Sequence, residues 1–188
     1  MNTWLFNPFR YIAGSKALLI GLSAMMISAV IGYFSMSHFD GAIDFHVGKA
    51  TPFHIYLTEQ IIDWLCVTTA MFLSAKIWSA SEIRLIDVAG TMALARWPSI
   101  LAATIGFGIR INDSTSPEKL LASLTPLTII SALLSAVCMI WMIALMYNAF
   151  VVSCNMKGTR GVLAFIGSLI AAELLSKFIL ILAYKHLI

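Results

Sequence analysis

Apolar residues gather in five long runs along the chain, separated by short stretches rich in polar residues, glycine and proline. A helix that crosses a bilayer needs about 20 mostly apolar residues, and every run reaches that length. The runs lack the strict alternation of apolar and polar positions that is typical of membrane-barrel strands. The pattern therefore predicts five transmembrane helices, at about residues 17–36, 55–78, 84–109, 124–147 and 162–184.

The first and third runs are the two whose assignment as spans needs an argument. The first is longer than the core of a signal peptide, which has about 7–15 apolar residues, so we expect it to remain as a span. The third is the most polar, and its uncharged part after Pro98 is too short to span alone, so residues 84–96 must belong to the same helix. Because proline lacks an N–H and disrupts the helix before it, we expect a kink near Pro98.

The composition excludes a soluble globule. Of the 188 residues, 60% are hydrophobic and only 11% are charged, whereas soluble domains carry about 25% charged residues. A chain this short cannot bury the apolar surplus in its own core. We therefore predict one integral membrane domain over residues 1–188, with an all-α fold and no soluble catalytic domain. The net charge of +3 is too small and too scattered to favour nucleic acid as a partner.

The lysines and arginines of the short connections predict the orientation. Cytoplasmic loops carry more of these residues than loops on the other side of the membrane. One side would hold Arg10, Lys16, Lys76, Arg84, Lys157 and Arg160, and the other Lys49, Arg110, Lys119 and Lys185. This bias predicts a cytoplasmic N-terminus and a C-terminus outside.

Of the charged residues inside the predicted spans, four lie well away from the span ends: Asp63, Arg96, Glu173 and Lys177. Each costs at least about 2.5–3.5 kcal/mol at the centre of a membrane helix unless it has a partner or water. Their predicted depths are similar and their charges sum to zero, so we expect one buried network. Within it, Arg96 should pair with Glu173 or Asp63 and join the second and fifth helices to the third.

Two interpretations of this network remain open. In the functional interpretation the network is a relay for protons or ions, or an anchor for a polar substrate. In the structural interpretation, which we favour, it is a set of contacts that holds the helices together. Arg84 and Asp87 are neighbours at i,i+3 and should pair near the headgroups. Glu59 is expected nearer the outer surface, where hydration is cheap.

The connection between the first two runs contains His38, Asp40, Asp44, His46 and His54. Imidazole and carboxylate groups suit zinc, but the spacing matches no compact ligand motif such as HxH or HExxH. We therefore expect no metal, and His38, His46 and His54 stay as weak candidates. The chain also lacks GxSxG, GxGxxG and GxxxxGK[ST]. We predict that it is not an enzyme and carries no cofactor.

Three segments resemble a known family. They are the opening FNPFRYI, the third run RLIDVAGTMALARWPSILAATIGF and the fourth run with its exit, WMIALMYNAFVVSCNMKGTRGVLAF. Together they resemble the bacterial type of the Yip-domain (Ypt/Rab-interacting protein) family of five-span membrane proteins. The resemblance implies five helices and a cytoplasmic N-terminus. The DLYGP-like motif of eukaryotic trafficking members does not occur, so binding of a Rab-type GTPase is not expected.

These observations predict a non-enzymatic protein of the bacterial cytoplasmic (inner) membrane. Its expected role is membrane organisation or scaffolding through helix contacts, with the lipid bilayer and other membrane proteins or further copies of itself as partners. The alternative is a small transporter or channel component that uses the intramembrane charges. A dry, paired charge network favours the scaffold, whereas a polar cavity that reaches Asp63 and Arg96 favours transport.

Overall fold

A computed structural model of the chain describes residues 3–109 and 124–187, which are almost entirely helical. With α4 and α5 counted as one broken helix, five helices in this part are long and apolar enough to cross a membrane. The predicted all-α, five-span fold is therefore confirmed. The elements are α1 (Thr3–Phe6), a 3-10 helix (Pro8–Arg10), α2 (Gly14–Ser35), β1 (Ser37–His38), β2 (His46–Val47), α3 (Phe53–Trp78), α4 (Leu85–Ala95), α5 (Ser99–Gly106), α6 (Pro126–Ser153) and α7 (Gly158–Leu187).

The broken helix α4–α5 lies at the centre of the bundle. In its most apolar stretch 72% of the residues are buried, against 33–39% in the other four spans. It packs between α2 and α6, while α3 contacts α2 and α4 and runs along α7. A helix that is shielded from lipid by its neighbours does not need to be apolar on every face. This position explains why the third run is the most polar.

The central helix is interrupted where the sequence predicts a kink. Helix α4 ends at Ala95, and the backbone N–H groups of Arg96 and Trp97 each donate to the carbonyl three residues earlier, at 3.2 Å. Such bonds form a tight turn of the 3-10 type. Pro98 then precedes α5 and supplies no N–H. The interruption places the Arg96 side chain in the middle of the bundle.

Helices α2 and α4 approach each other closely because glycine lies at both crossing points. A methyl group at Gly21 would collide with the backbone of Ala93 and Leu94. One at Gly90 would collide with the carbonyl of Gly14. Small residues at crossing points let membrane helices pack backbone to backbone.

The last two spans are longer than hydropathy predicts. Helix α6 continues to Ser153 and α7 begins at Gly158, so the expected connection 148–161 shrinks to residues 154–157. Two polar side chains at the end of α6 are satisfied by carbonyl groups: Asn148 donates to Phe6 at 2.8 Å and Ser153 to Ala149 at 2.7 Å. The expected connection 110–123, with Arg110 and Lys119, lies outside the described residues.

The bundle has two chemically different ends. At the end that we call the loop end, β1 and β2 form a short antiparallel ladder that pairs His38 with His46. The opposite end, which we call the basic end, is where α2, α4 and α7 begin and where α3 and α6 finish. Its basic residues are Arg10, Lys16, Lys76, Arg84, Lys157 and Arg160.

Candidate functional site

A segment of the connection between β1 and β2 turns back into the bundle at the loop end. We call this segment, Phe39–Ile43, the inserted loop. Phe39 is 2% exposed and Ala42 is fully buried. The N–H of Ala42 donates to the Ser176 hydroxyl of α7 at 3.2 Å. Non-helical backbone at membrane depth requires such partners, because lipid offers none.

Two carboxylates hold the ends of the inserted loop. Oε2 of Glu59, on α3, accepts from the N–H of Phe39 at 3.0 Å. Oε2 of Glu173, on α7, accepts from the N–H of Ile43 at 3.0 Å. Charged acceptors make hydrogen bonds roughly twice as strong as neutral ones. The inserted loop is thus fixed between α3 and α7.

Arg96 and Asp63 form an enclosed ion pair directly below this loop. Arg96 Nη2 lies 3.1 Å from Asp63 Oδ2, and both side chains have no exposed surface. The guanidinium also donates from Nη1 to the Ala42 carbonyl at 3.2 Å and from Nη2 to Gln60 Oε1 at 3.4 Å. One side chain therefore connects the central helix, α3 and the inserted loop.

The hydrogen bonding of the pair is incomplete. Asp63 Oδ1 and Arg96 Nε are buried without a hydrogen-bond partner among the described residues. Buried polar atoms without partners are rare, because each retains the cost of leaving water. The pair is enclosed, but two of its polar atoms lack a hydrogen-bond partner among the described residues.

The predicted network of four charges is divided into two pairs. Lys177 lies 2.7 Å from Asp44 and 3.3 Å from Glu173, and its side chain is 44% exposed. Since α7 begins at Gly158, Lys177 is about 28 Å from that end at about 1.5 Å per residue, well past the middle of the bilayer. The backbone of the inserted loop links the pairs, because Arg96 binds it at Ala42 and Glu173 binds it at Ile43. The expected direct bridge from Arg96 to the fifth helix is absent from the described hydrogen bonds and ion pairs.

The expectation that Glu59 is hydrated is wrong. Its exposure is 1%. Besides the inserted loop, its carboxylate binds His38 Nδ1 at 2.7 Å and accepts from the Tyr184 hydroxyl at 2.8 Å. Glu59 and Gln60 precede Asp63 on α3 by four and three residues, so each lies one helical turn from it, and this spacing was the signal in the sequence that they act together.

A small polar cavity of about 190 Å³ lies beside these groups at the loop end. Its lining residues are His38, Asp40, His46, Lys49, Thr51, Ile55, Glu59 and Tyr184. Ligand pockets usually measure about 300–1,000 Å³, so this space suits water or an ion better than an organic molecule. Neither Asp63 nor Arg96 belongs to its lining.

The pKa values of the two histidines of the cavity are raised by neighbouring carboxylates. Burial by itself lowers the pKa of His38. The hydrogen bond to Glu59 and the charge of that carboxylate outweigh this effect, so the pKa of His38 lies above its usual value. The bond to Asp40 raises the pKa of His46, and the same bond lowers the pKa of Asp40. The two imidazole rings stack with their centroids 5.5 Å apart.

The three candidate metal histidines do not form a common site. Both nitrogens of His38 are engaged, by Glu59 and by the Lys49 carbonyl at 3.0 Å, and His54 is exposed at the start of α3. A different group, Asp40, Asp44 and His46, has its ligand atoms within 4.8 Å of one another. Lys177 already supplies a positive charge to Asp44. The absence of a metal stays a prediction.

Towards the basic end, the core next to the ion pair is apolar. Fully buried side chains below Asp63 and Arg96 are Val67, Met71, Met92, Met142 and Met146. Such packing excludes water from the interior. In the described part of the core, the charged groups therefore reach from the loop end to mid-depth and no further.

Arg84 and Asp87 lie at the basic end as expected. Arg84 Nε is 3.7 Å from Asp87 Oδ2, and the Arg84 side chain is 76% exposed. An exposed pair of this kind contributes little to stability.

Comparison with protein-family models, curated proteins and solved structures gives no match to this chain.

Proposed function

We propose that this chain is a non-enzymatic integral membrane protein that organises or scaffolds other membrane proteins through helix contacts. The observation that carries the proposal is the enclosure of the Arg96–Asp63 pair, with an apolar core between it and the basic end. A transporter exposes its binding site alternately to the two faces of the membrane. An enclosed pair that joins three segments is better suited to fixing their relative positions.

The partners of the remaining acidic groups support the same role. Glu59 and Glu173 accept backbone N–H groups of the inserted loop, and Lys177 pairs with Asp44. A catalytic acid or base must reach a substrate proton. These groups are instead committed to holding the loop against the helices.

The resemblance to the bacterial Yip-domain family supports placement in the cytoplasmic membrane with the basic end inside. Labelling of introduced cysteines in intact cells tests this orientation, and the native cysteines interfere little because they are buried. Lys49→Cys should react with an impermeant reagent added from outside, and Lys157→Cys only after permeabilisation. The reverse pattern would invert the topology.

Affinity capture from mild detergent tests the scaffold proposal. The wild-type chain should capture a membrane protein in stoichiometric amount. The double variant Arg96→Met/Asp63→Asn should still fold and capture the same protein, because the charge pair is structural. The control is a helix of matched hydrophobicity carrying the same tag. If the chain captures no stoichiometric partner, or if the double variant folds but no longer captures one, the proposal is wrong.

A second candidate is a component that moves protons or ions. The polar cavity at the loop end favours it, because Glu59 lines the cavity and lies one helical turn from Asp63. Purified protein in vesicles that contain a pH-sensitive dye tests this alternative. We expect no proton flux above that of empty vesicles. A flux that disappears in Glu59→Gln would replace the scaffold proposal.

A further inference from the structure

A deep groove opens on the lipid-facing side of the molecule between α3 and α7. Its volume is about 640 Å³, much larger than that of the cavity at the loop end. The α3 wall consists of Ala70, Leu73, Ser74, Ile77 and Trp78, and the α7 wall of Arg160, Leu163, Ala164, Gly167, Ser168 and Ala171. Small residues form its floor: a methyl group at Gly167 would meet no atom within 4 Å.

The groove is about as deep as one leaflet. From Arg160 to Ala171 the helix rises about 16 Å at about 1.5 Å per residue. The hydrocarbon core of a bilayer is about 30 Å thick, so the groove covers one half of it. A second transmembrane helix would run past the groove through the other leaflet, whereas an acyl chain ends within its own leaflet.

The mouth of the groove is positively charged. Arg160 makes no hydrogen bond or ion pair with another residue of the described ranges 3–109 and 124–187. Lys76 and Lys157 are exposed at the same end, and Trp78 stands opposite Arg160. Tryptophan and arginine are typical of the headgroup level of a membrane protein. The first turn of α7 adds partial positive charge from its N–H groups.

We propose that this groove binds a phospholipid, with one acyl chain between α3 and α7 and the phosphate against Arg160, and that anionic phospholipids bind preferentially. Apolar walls match the chain, and the charged mouth matches the phosphate. A second copy of this chain fits less well, because two-fold symmetry would bring two Arg160 side chains to the same depth. The proposal stands independently of the scaffolding role.

The full-length protein in phosphatidylcholine vesicles provides the test. The probe is a trace of phosphatidylglycerol with a photoreactive group on one acyl chain, and mass spectrometry locates the cross-linked residues. Cross-links should concentrate on the groove walls, and unlabelled phosphatidylglycerol should compete better than phosphatidylcholine. Arg160→Gln should weaken phosphatidylglycerol binding about fivefold, equivalent to about 1 kcal/mol for one basic residue at an anionic surface. Lys157→Gln, which removes an exposed charge at the same end that does not line the groove, should have a smaller effect.

A second variant fills the groove. Gly167→Leu should greatly reduce cross-linking, whereas Ala132→Leu, a matched enlargement on the exposed face of α6, should leave it unchanged. Cross-links spread evenly over the apolar surface of the wild-type protein would overturn the proposal. So would a chain-to-chain cross-link at the groove that Gly167→Leu abolishes, since it would identify a second copy as the occupant. If Gly167→Leu fails to fold, the wild-type cross-link map still decides, because cross-links to lipid on the groove walls support the proposal, and an even spread or a chain-to-chain cross-link at the groove overturns it.

Discussion

Replacing Arg96 by methionine should lower the free energy of unfolding by about 3–5 kcal/mol, the usual cost of leaving a buried charge without its partner. Asp63 would retain a carboxylate with no exposed surface. The Ala42 carbonyl and the Gln60 amide oxygen would each lose a donor as well. Methionine keeps most of the volume, so loss of packing contributes little of the expected change.

Removing the second charge should restore much of this loss. In Arg96→Met/Asp63→Asn no unpaired charge stays buried, and an unpaired buried charge is what makes breaking such a pair costly. We expect a coupling energy of about 2 kcal/mol or more between the two sites, within the range seen for residues in contact. Unfolding by a denaturing detergent in mixed micelles, followed by circular dichroism, measures all four corners of the cycle.

Arg84→Met is the matched control, because Arg84 also pairs with an aspartate but is 76% exposed. It should change the free energy of unfolding by less than about 1 kcal/mol. A loss below about 1 kcal/mol for Arg96→Met would refute the reasoning, since an exposed pair costs that much. A double variant no more stable than the worse single variant would also refute it.

Three further predictions concern other parts of the fold. Glu59→Gln should cost about 1–3 kcal/mol of unfolding free energy in the same assay. The carboxylate of Glu59 accepts from three donors, and the glutamine amide would place an NH₂ group against at least one of them. Gly21→Val should destabilise the protein by about 1–3 kcal/mol through overpacking, whereas Gly167→Val should cost less, since a methyl group there meets open space. The pair of His46 and Asp40 should stabilise the loop most between pH 3.8 and 6.5, their ordinary pKa values. The contribution of this pair is lost as pH rises through the raised pKa of His46 or falls through the lowered pKa of Asp40. Amide hydrogen exchange in the loop should therefore become faster at each extreme by more than the intrinsic effect of pH. This additional acceleration should be smaller in His46→Gln.

The number of spans and the helix break were predictable because the bilayer and proline impose strong local rules. About 20 apolar residues are needed wherever a helix crosses, whatever it packs against. Helix ends were less predictable, since Asn148 and Ser153 resemble connection residues by composition. Their polar groups are satisfied by Phe6 and Ala149, and hydropathy does not report such partners.

The charge pair was partly predictable, and the inserted loop was not. A guanidinium inside the membrane keeps its proton, so Arg96 required a carboxylate, and Asp63 was one of two candidates. The loop, in contrast, has the glycine and polar residues of an ordinary hydrated connection. Its anchor Glu59 finds partners 21 residues away at His38 and 125 residues away at Tyr184. Only the fold brings such distant residues together.

The inserted loop and the groove have a common origin in how α7 is attached. The described hydrogen bonds and ion pairs from α7 side chains to other elements come from Glu173, Ser176, Lys177 and Tyr184, all in its loop-end half. In the other half, Ser168 donates to a carbonyl of its own helix. Polar contacts therefore hold α7 to α3 and to the inserted loop at one end, while the other end relies on apolar contacts, such as those of Phe165 with the rings of Tyr147 and Phe150. Lipid chains are as apolar as those side chains and compete with them on equal terms, so the groove opens where the polar contacts stop.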